Sequence, residues 1–217
     1  MFLTHLLLPR VKESAAVFSQ LMANNYLEHQ VLWDMLKAAP DATRDFLFRS
    51  DVTDQGLEIY VLGPEAFAPG FPWIARSRPY QPTISEGQLL GFSLRVSPTE
   101  DKAQGKDQRS RRQDMVMARY IEAQGQATVE QVSQAVAKDW LSRREESSGF
   151  RVVEADASGY RRVEPFKRGK SMGKVPLLDI KGLLEVTDPE LFMQRQHRGF
   201  GKSKFVGSGL MLLSAPR

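Results

Sequence analysis

GFGKSKFVGSG, Gly199 to Gly209, sets four glycines and two lysines within eleven residues and runs straight into the apolar stretch Leu210 to Leu213. Glycine adopts backbone angles that side chains forbid and lets a second backbone come close. Lysine beside such a turn adds charge and donors. The result is a loop able to press main-chain N–H groups against a phosphate. The apolar run after it reads as a buried strand that anchors the loop. A glycine-rich turn ahead of a strand is commonly no more than a turn. This one also departs from nucleotide-binding loops, since it lacks GxxxxGK[ST] and precedes its strand instead of following one. Its meaning rests on the chain around it.

Upstream, Thr187-Asp188-Pro189 opens a helix from about Pro189 to Arg198, with proline in its first turn. Lys174 to Val186 is strand-rich. Asp156 to Gly169 reads as a hairpin or extended loop carrying Arg161, Arg162, Lys167 and Arg168, and Phe150 to Glu154 as a strand. Asp114 to Ala123 and Ala127 to Arg144 read as helices; in the second, Val129, Val132, Val136, Trp140 and Leu141 keep helical spacing. After a break at Ser97-Pro98, the charged stretch Glu100 to Arg112 reads as a linker. The second half is α-β-β-α-β with one element open.

The first half begins with strand-like Phe2 to Leu8, ended by Pro9, and Lys12 to Met22 has helical spacing. Asn24 and Asn25 offer the short side-chain oxygen of an N-cap. The helix they open is expected to run to about Ala38 and to stop at Pro40. Projected at about 100° per residue, Leu27, Val31, Leu32, Met35 and Leu36 form an apolar arc, and Gln30, Asp34 and Lys37 a polar one. Tyr26, His29 and Trp33 lie on the seam. A histidine there, one turn from a tyrosine, either reaches a surface groove or completes a packed aromatic edge. Ala42 to Ser50 and Leu57 to Leu62 read as strands joined by Asp54-Gln55-Gly56. Five prolines from Pro64 to Pro82 leave helix there in doubt, and Gln88 to Val96 reads as a strong strand. The first half thus reads β-α-β-β-(α)-β, the order of a ferredoxin-like fold and of RNA-recognition sheets. Two α/β halves of similar size suggest a duplicated fold.

Composition narrows the function classes. The 217 residues suffice for one large domain or two small ones, and an apolar fraction of 41% supports a sizeable core. With no cysteine, disulfides, thiolate catalysis and cysteine-ligated zinc are excluded, which fits a cytoplasmic setting. No apolar run nears the ~20 residues of a membrane span, and MFLTHLLLPR lacks the basic lead of a signal peptide. The net charge is only +4, but it is clustered. Lys102 to Arg112 holds five basic residues and one acid, Arg151 to Lys174 seven and three, and Arg195 to Lys204 four and none. Three such patches point to a polyanion partner, although a single one is usually a solvated loop.

Five stretches then stand in one order: MFLTHLLL at the start, ANNYLEH at 23–29, RDFLFR at 44–49, FSLRVSPT at 92–99, and GLLEVTDPELF leading into GFGKSKFVGSGLMLLSAP. In that order, over nearly the whole chain, the sequence resembles the CasE endoribonucleases of type I-E CRISPR systems, which cut the repeat transcript into guide RNAs. The resemblance implies an α+β protein of two tandem ferredoxin-like, RRM-like domains, residues 1–97 and 98–217, with a basic cleft that holds an RNA stem-loop. It implies one cut at the 3′ base of the stem without metal or cofactor, and other Cascade subunits as partners. The family's catalytic histidine falls on His29 and its active-site tyrosine on Tyr26. Its basic hairpin falls between Arg151 and Lys174.

Such a cut uses the RNA's own 2′-OH and leaves a 2′,3′-cyclic phosphate and a 5′-OH. Histidine suits the proton transfer because its ordinary pKa, ~6.5, lies near working pH. Tyrosine, at ~10, fits an orienting hydrogen bond better than a free base. Lys167, Arg168 and Lys170 are candidates to stabilise the phosphorane. Arg161, Arg162, Lys174, Lys202 and Lys204 complete the expected RNA-binding set. His5, between Leu3 and Leu7 in the first strand, reads as structural; His197, flanked by Arg195 and Arg198, could touch RNA but stands outside the expected set. A metal site built from three scattered histidines is not expected. Two other readings stand beside this one: a non-catalytic guide-RNA-binding subunit of the same fold, and a metabolic α/β enzyme for a phosphorylated substrate.

Overall fold

The computed structural model describes residues 1–35, 45–67, 69–102 and 111–216. In chain order the elements begin with β1 (Phe2–Pro9), α1 (Ala15–Ala23), α2 (Asn25–Met35), β2 (Leu47–Val52), β3 (Gly56–Gly63) and β4 (Ile74–Pro79). There follow β5 (Leu89–Val96), β6 (Thr99–Lys102), β7 (Arg111–Asp114), α3 (Met115–Glu122), α4 (Val129–Ser142) and α5 (Glu145–Ser148). The chain closes with β8 (Phe150–Val163), β9 (Phe166–Lys167), β10 (Lys170–Ser171), β11 (Val175–Val186), α6 (Pro189–Arg198) and β12 (Met211–Ser214).

These elements form two compact units. The first comprises Met1–Thr83, Val163–Lys174 and Ser203–Leu210, and the second Ile84–Arg162, Val175–Lys202 and Met211–Arg217. In the first unit the sheet runs β2-β3-β1-β4, antiparallel throughout. Alternation along β1 sends Thr4, Leu6 and Leu8 inward, all fully buried. Leu21 of α1 and Leu32 of α2 close over Leu6, Leu8, Phe48 and Ile59. Each such leucine contributes roughly 2 kcal/mol of burial.

In the second unit the sheet runs β12-β5-β11-β8. Val136 and Trp140 of α4 and Phe192 of α6 pack over Leu94, Phe150 and Ile180. The helix starts follow their sequence signals. Thr128 and Gln131 form a reciprocal capping box on α4, and Asp188 accepts from the Leu191 amide at the start of α6. Counting each sheet's main strands in chain order, both have the order 4-1-3-2, and both units are therefore ferredoxin-like in topology.

Several expectations are corrected. The strand at Gln88–Val96 does not close the first sheet. It pairs with β11 from Leu178↔Val96 to Glu185↔Leu89, and with β12, so it is a strand of the second sheet. The first sheet takes its fourth strand from the proline-rich stretch instead, as β4. That strand is exposed at five of six positions and carries no alternation to betray it. As an edge strand it also tolerates Pro79. The expected boundary at residue 97 accordingly differs from the observed division at Thr83 and Ile84. The strand expected to end at Glu154 continues to Val163. Its free edge is occupied near Ala155 by Gln134 of α4, whose side chain donates to Ala155 O (2.6 Å) and accepts from Ala157 N (2.8 Å). The charged linker opens and closes as the β6–β7 hairpin. The helix end at Ala38 and Pro40, the strand start at Ala42 to Arg44 and the middle of the linker lie outside the described residues.

Candidate active site

Asn24 ends α1 in an extended conformation (φ −153°, ψ 109°) and caps α2 with its side chain, whose Oδ1 accepts from Tyr26 N at 3.0 Å. One turn on, His29 follows Tyr26 on the seam of the helix. Tyr26 is buried and His29 half-buried, their rings edge to face at 5.6 Å. His29 lies nearly parallel to Phe48 of β2 (6.4 Å, 7°), with Phe46 at 5.8 Å and Trp33 at 6.3 Å. The packed aromatic edge is thus realised: Tyr26, Trp33, Phe46 and Phe48 form an aromatic bed around a half-buried imidazole. Next to it in the sequence, Glu28 is buried and accepts from Ser50 Oγ of β2 at 2.6 Å, which pins the helix to the sheet.

The glycine-rich loop contributes Phe205, edge-on to Tyr26 at 6.2 Å. Its Gly207 has φ +74°, and a Cβ there would stand 3.2 Å from Phe48 Cε2, so only glycine lets the loop pass against the ring that supports His29. Lys204 begins the 3-10 turn that carries Phe205.

The basic hairpin completes the group. Lys167 and Lys170 are registered partners across a two-residue turn, Arg168 (φ 50°) and Gly169 (φ 74°), the left-handed pair that a tight hairpin requires. Three cations therefore crowd one tip, with Lys174 following. The Lys167 ammonium stands 5.7 Å from the centre of the Tyr26 ring.

Of the residues singled out from the sequence, Tyr26, His29, Lys167, Arg168, Lys170, Lys174 and Lys204 belong to the first unit. Arg161, Arg162 and Lys202 belong to the second. There Arg161 donates to Asp179 at 3.0 Å and Lys202 pairs with Asp101, while Arg162 is exposed. His5 does not face the core. It lies on the other face of β1, 2.9 Å from Glu58 and stacked on Tyr60 at 4.8 Å, a satisfied structural histidine. His197 is exposed on α6. Among the described residues no group of three or more His, Asp or Glu side chains is gathered to hold a metal ion, and no helix is long and apolar enough to cross a membrane. Phe48 and Phe205 escaped sequence reasoning. They meet the site through contacts distant in the chain.

The chain matches the family of CRISPR associated proteins over residues 1–215. It is similar to the CRISPR-associated endoribonuclease Cse3 of Thermus thermophilus, at 27% identity over 88% of this chain and 90% of that protein. It is also similar to the CRISPR system Cascade subunit CasE of Escherichia coli, at 25% over 87% of this chain and 91% of that one. Its fold matches a solved structure of the endoribonuclease Cse3 bound to a 19-nucleotide RNA, with a TM-score of 0.77 and 23% identity over 99% and 100% of the two chains.

Proposed function

The chain belongs to the CRISPR-associated protein family, and from that membership we propose that it is a CasE-type endoribonuclease that cuts repeat transcripts at the 3′ base of a stem-loop. It acts without metal, in the cytoplasm, and keeps the guide RNA as a Cascade subunit. The observation that carries the reading is the convergence of His29, Tyr26 and Lys167 within one compact unit.

The 2′-oxygen attacks the adjacent phosphorus as its proton leaves, and the bond from phosphorus to the 5′-oxygen breaks as that oxygen gains a proton. One P–O bond forms and one breaks, giving the cyclic phosphate and the 5′-OH with no net change in protons. His29 serves one of these two transfers, worth roughly 100- to 10,000-fold. The aromatic bed fixes its ring, and RNA reaches the part of it that is not buried. Tyr26 orients the reacting phosphate. Lys167 sets its positive charge where the phosphorane gathers negative charge. Arg168, Lys170, Lys174 and Lys204 hold the RNA backbone from the same unit.

The test is cleavage of the host's own repeat hairpin in EDTA by wild type and His29→Ala, with analysis of the ends. Wild type should yield a cyclic phosphate, and His29→Ala should bind without cutting. Equal cutting by both would remove His29 from the site. Binding without cutting by both would make the chain a guide-RNA holder.

A further inference from the structure

We infer that Asn24 is a positioning residue for cleavage: its side-chain amide latches the basic hairpin to the first turn of α2 and so delivers Lys167 to Tyr26 and His29. This rests on the active-site reading above. Asn24 Nδ2 donates to Phe166 O at 2.8 Å, and Asn24 Oδ1 accepts from Phe166 N at 3.0 Å. The amide thereby pairs with Phe166 as a peptide group on a neighbouring strand would. The same oxygen accepts from Tyr26 N, so one side chain occupies both lone pairs and ties two backbones together.

Residue 166 is next to Lys167, and Tyr26 lies in the first turn of α2. The three bonds therefore fix the two residues that meet at 5.7 Å. Only an amide makes this latch, because it must offer one donor and one acceptor side by side. Serine or threonine would cap the helix equally well. The cap alone does not explain asparagine here. The hairpin's own strands are two residues each. Strands that short are marginal in water by themselves, so an outside tie decides where the tip sits.

Asn24→Asp separates the two roles. A carboxylate still accepts from Tyr26 N and Phe166 N, and so keeps the cap. Its second oxygen, however, faces the Phe166 carbonyl, acceptor against acceptor. Single-turnover cleavage of the repeat hairpin would be measured at saturating protein in EDTA, for wild type, Asn24→Asp, Lys167→Ala, the double variant and His29→Ala, with hydrogen exchange at the Phe166 amide. We expect Asn24→Asp to cut roughly tenfold more slowly with faster exchange at Phe166, and the double variant to be no slower than Lys167→Ala. Wild-type cleavage by Asn24→Asp, or additive losses in the double variant, would overturn the inference while leaving the His29 reading intact. Wild-type cleavage by His29→Ala would overturn the reading itself, and the inference with it.

Discussion

Arg95 and Asp179 are registered partners across β5 and β11. Arg95 is only 5% exposed and grips the carboxylate with Nε at 2.7 Å and Nη2 at 3.1 Å, while Arg161 approaches its other side. Burial alone would raise the Asp179 pKa, but the Arg95 hydrogen bond and the charges of both arginines outweigh it and hold the group below its usual range. A carboxylate depressed in the folded state stabilises the fold fully above its unfolded pKa, about 3.9. That contribution is lost as pH falls through the folded value. Asp179→Asn leaves a buried guanidinium without its counter-charge and should remove about 3 kcal/mol at neutral pH. Urea unfolding over a descending pH series from pH 7 checks this: the deficit should be large at pH 7 and shrink as pH falls through the folded value, where wild type also loses the carboxylate charge. A deficit that stays constant down the series would mean that Asp179 acts through packing alone.

At the scale of elements, the β9–β10 hairpin depends on its turn. A Cβ built at Gly169 meets nothing within 4 Å, so a side chain there offends only the backbone, at φ +74°. Left-handed angles cost an ordinary residue about 1–2 kcal/mol, and a β-branched one more. Gly169→Val should therefore loosen the tip, slow cleavage roughly tenfold and leave the midpoint of thermal unfolding nearly unmoved, since neither core includes the hairpin. A large fall in melting temperature would show that the hairpin supports the fold and not the site. Elements were legible in the sequence where their signals are local. The cap of α6, the seam of α2 and the anchor strand after the glycine loop all follow from neighbours a few residues apart. The strand pattern of β5 was equally plain, yet alternation does not say which sheet will accept a strand. β4 was hidden because an exposed edge needs no apolar alternation. The length of β8 was hidden because a side chain, Gln134, stands where a pairing strand would.

For the whole molecule, the chain's order and its units do not coincide. Residues 163–174 and 203–210, late in the sequence, belong to the first unit and furnish Lys167 and Phe205. Tyr26 and His29 could be read from one helix, but Lys167 could be read only as one of three candidate cations, with Arg168 and Lys170. The tie at Asn24 was unreadable, because its partner stands 142 residues away. The division of charge has the same origin: a net +4 is modest, yet the hairpin tip concentrates cations in the unit that holds His29. Counterion release should then make RNA binding steeply salt-dependent, with the logarithm of the affinity falling by about 0.7–0.9 per phosphate contact for each tenfold rise in salt. Lys170→Ala should flatten that slope by about one. Arg161→Ala should change it less, because Asp179 already neutralises that guanidinium. Filter binding of the repeat hairpin across a salt series measures all three. A wild-type affinity indifferent to salt would remove the cationic hairpin from RNA recognition, and a loss at Arg161 equal to that at Lys170 would mean that RNA displaces Asp179 when it binds.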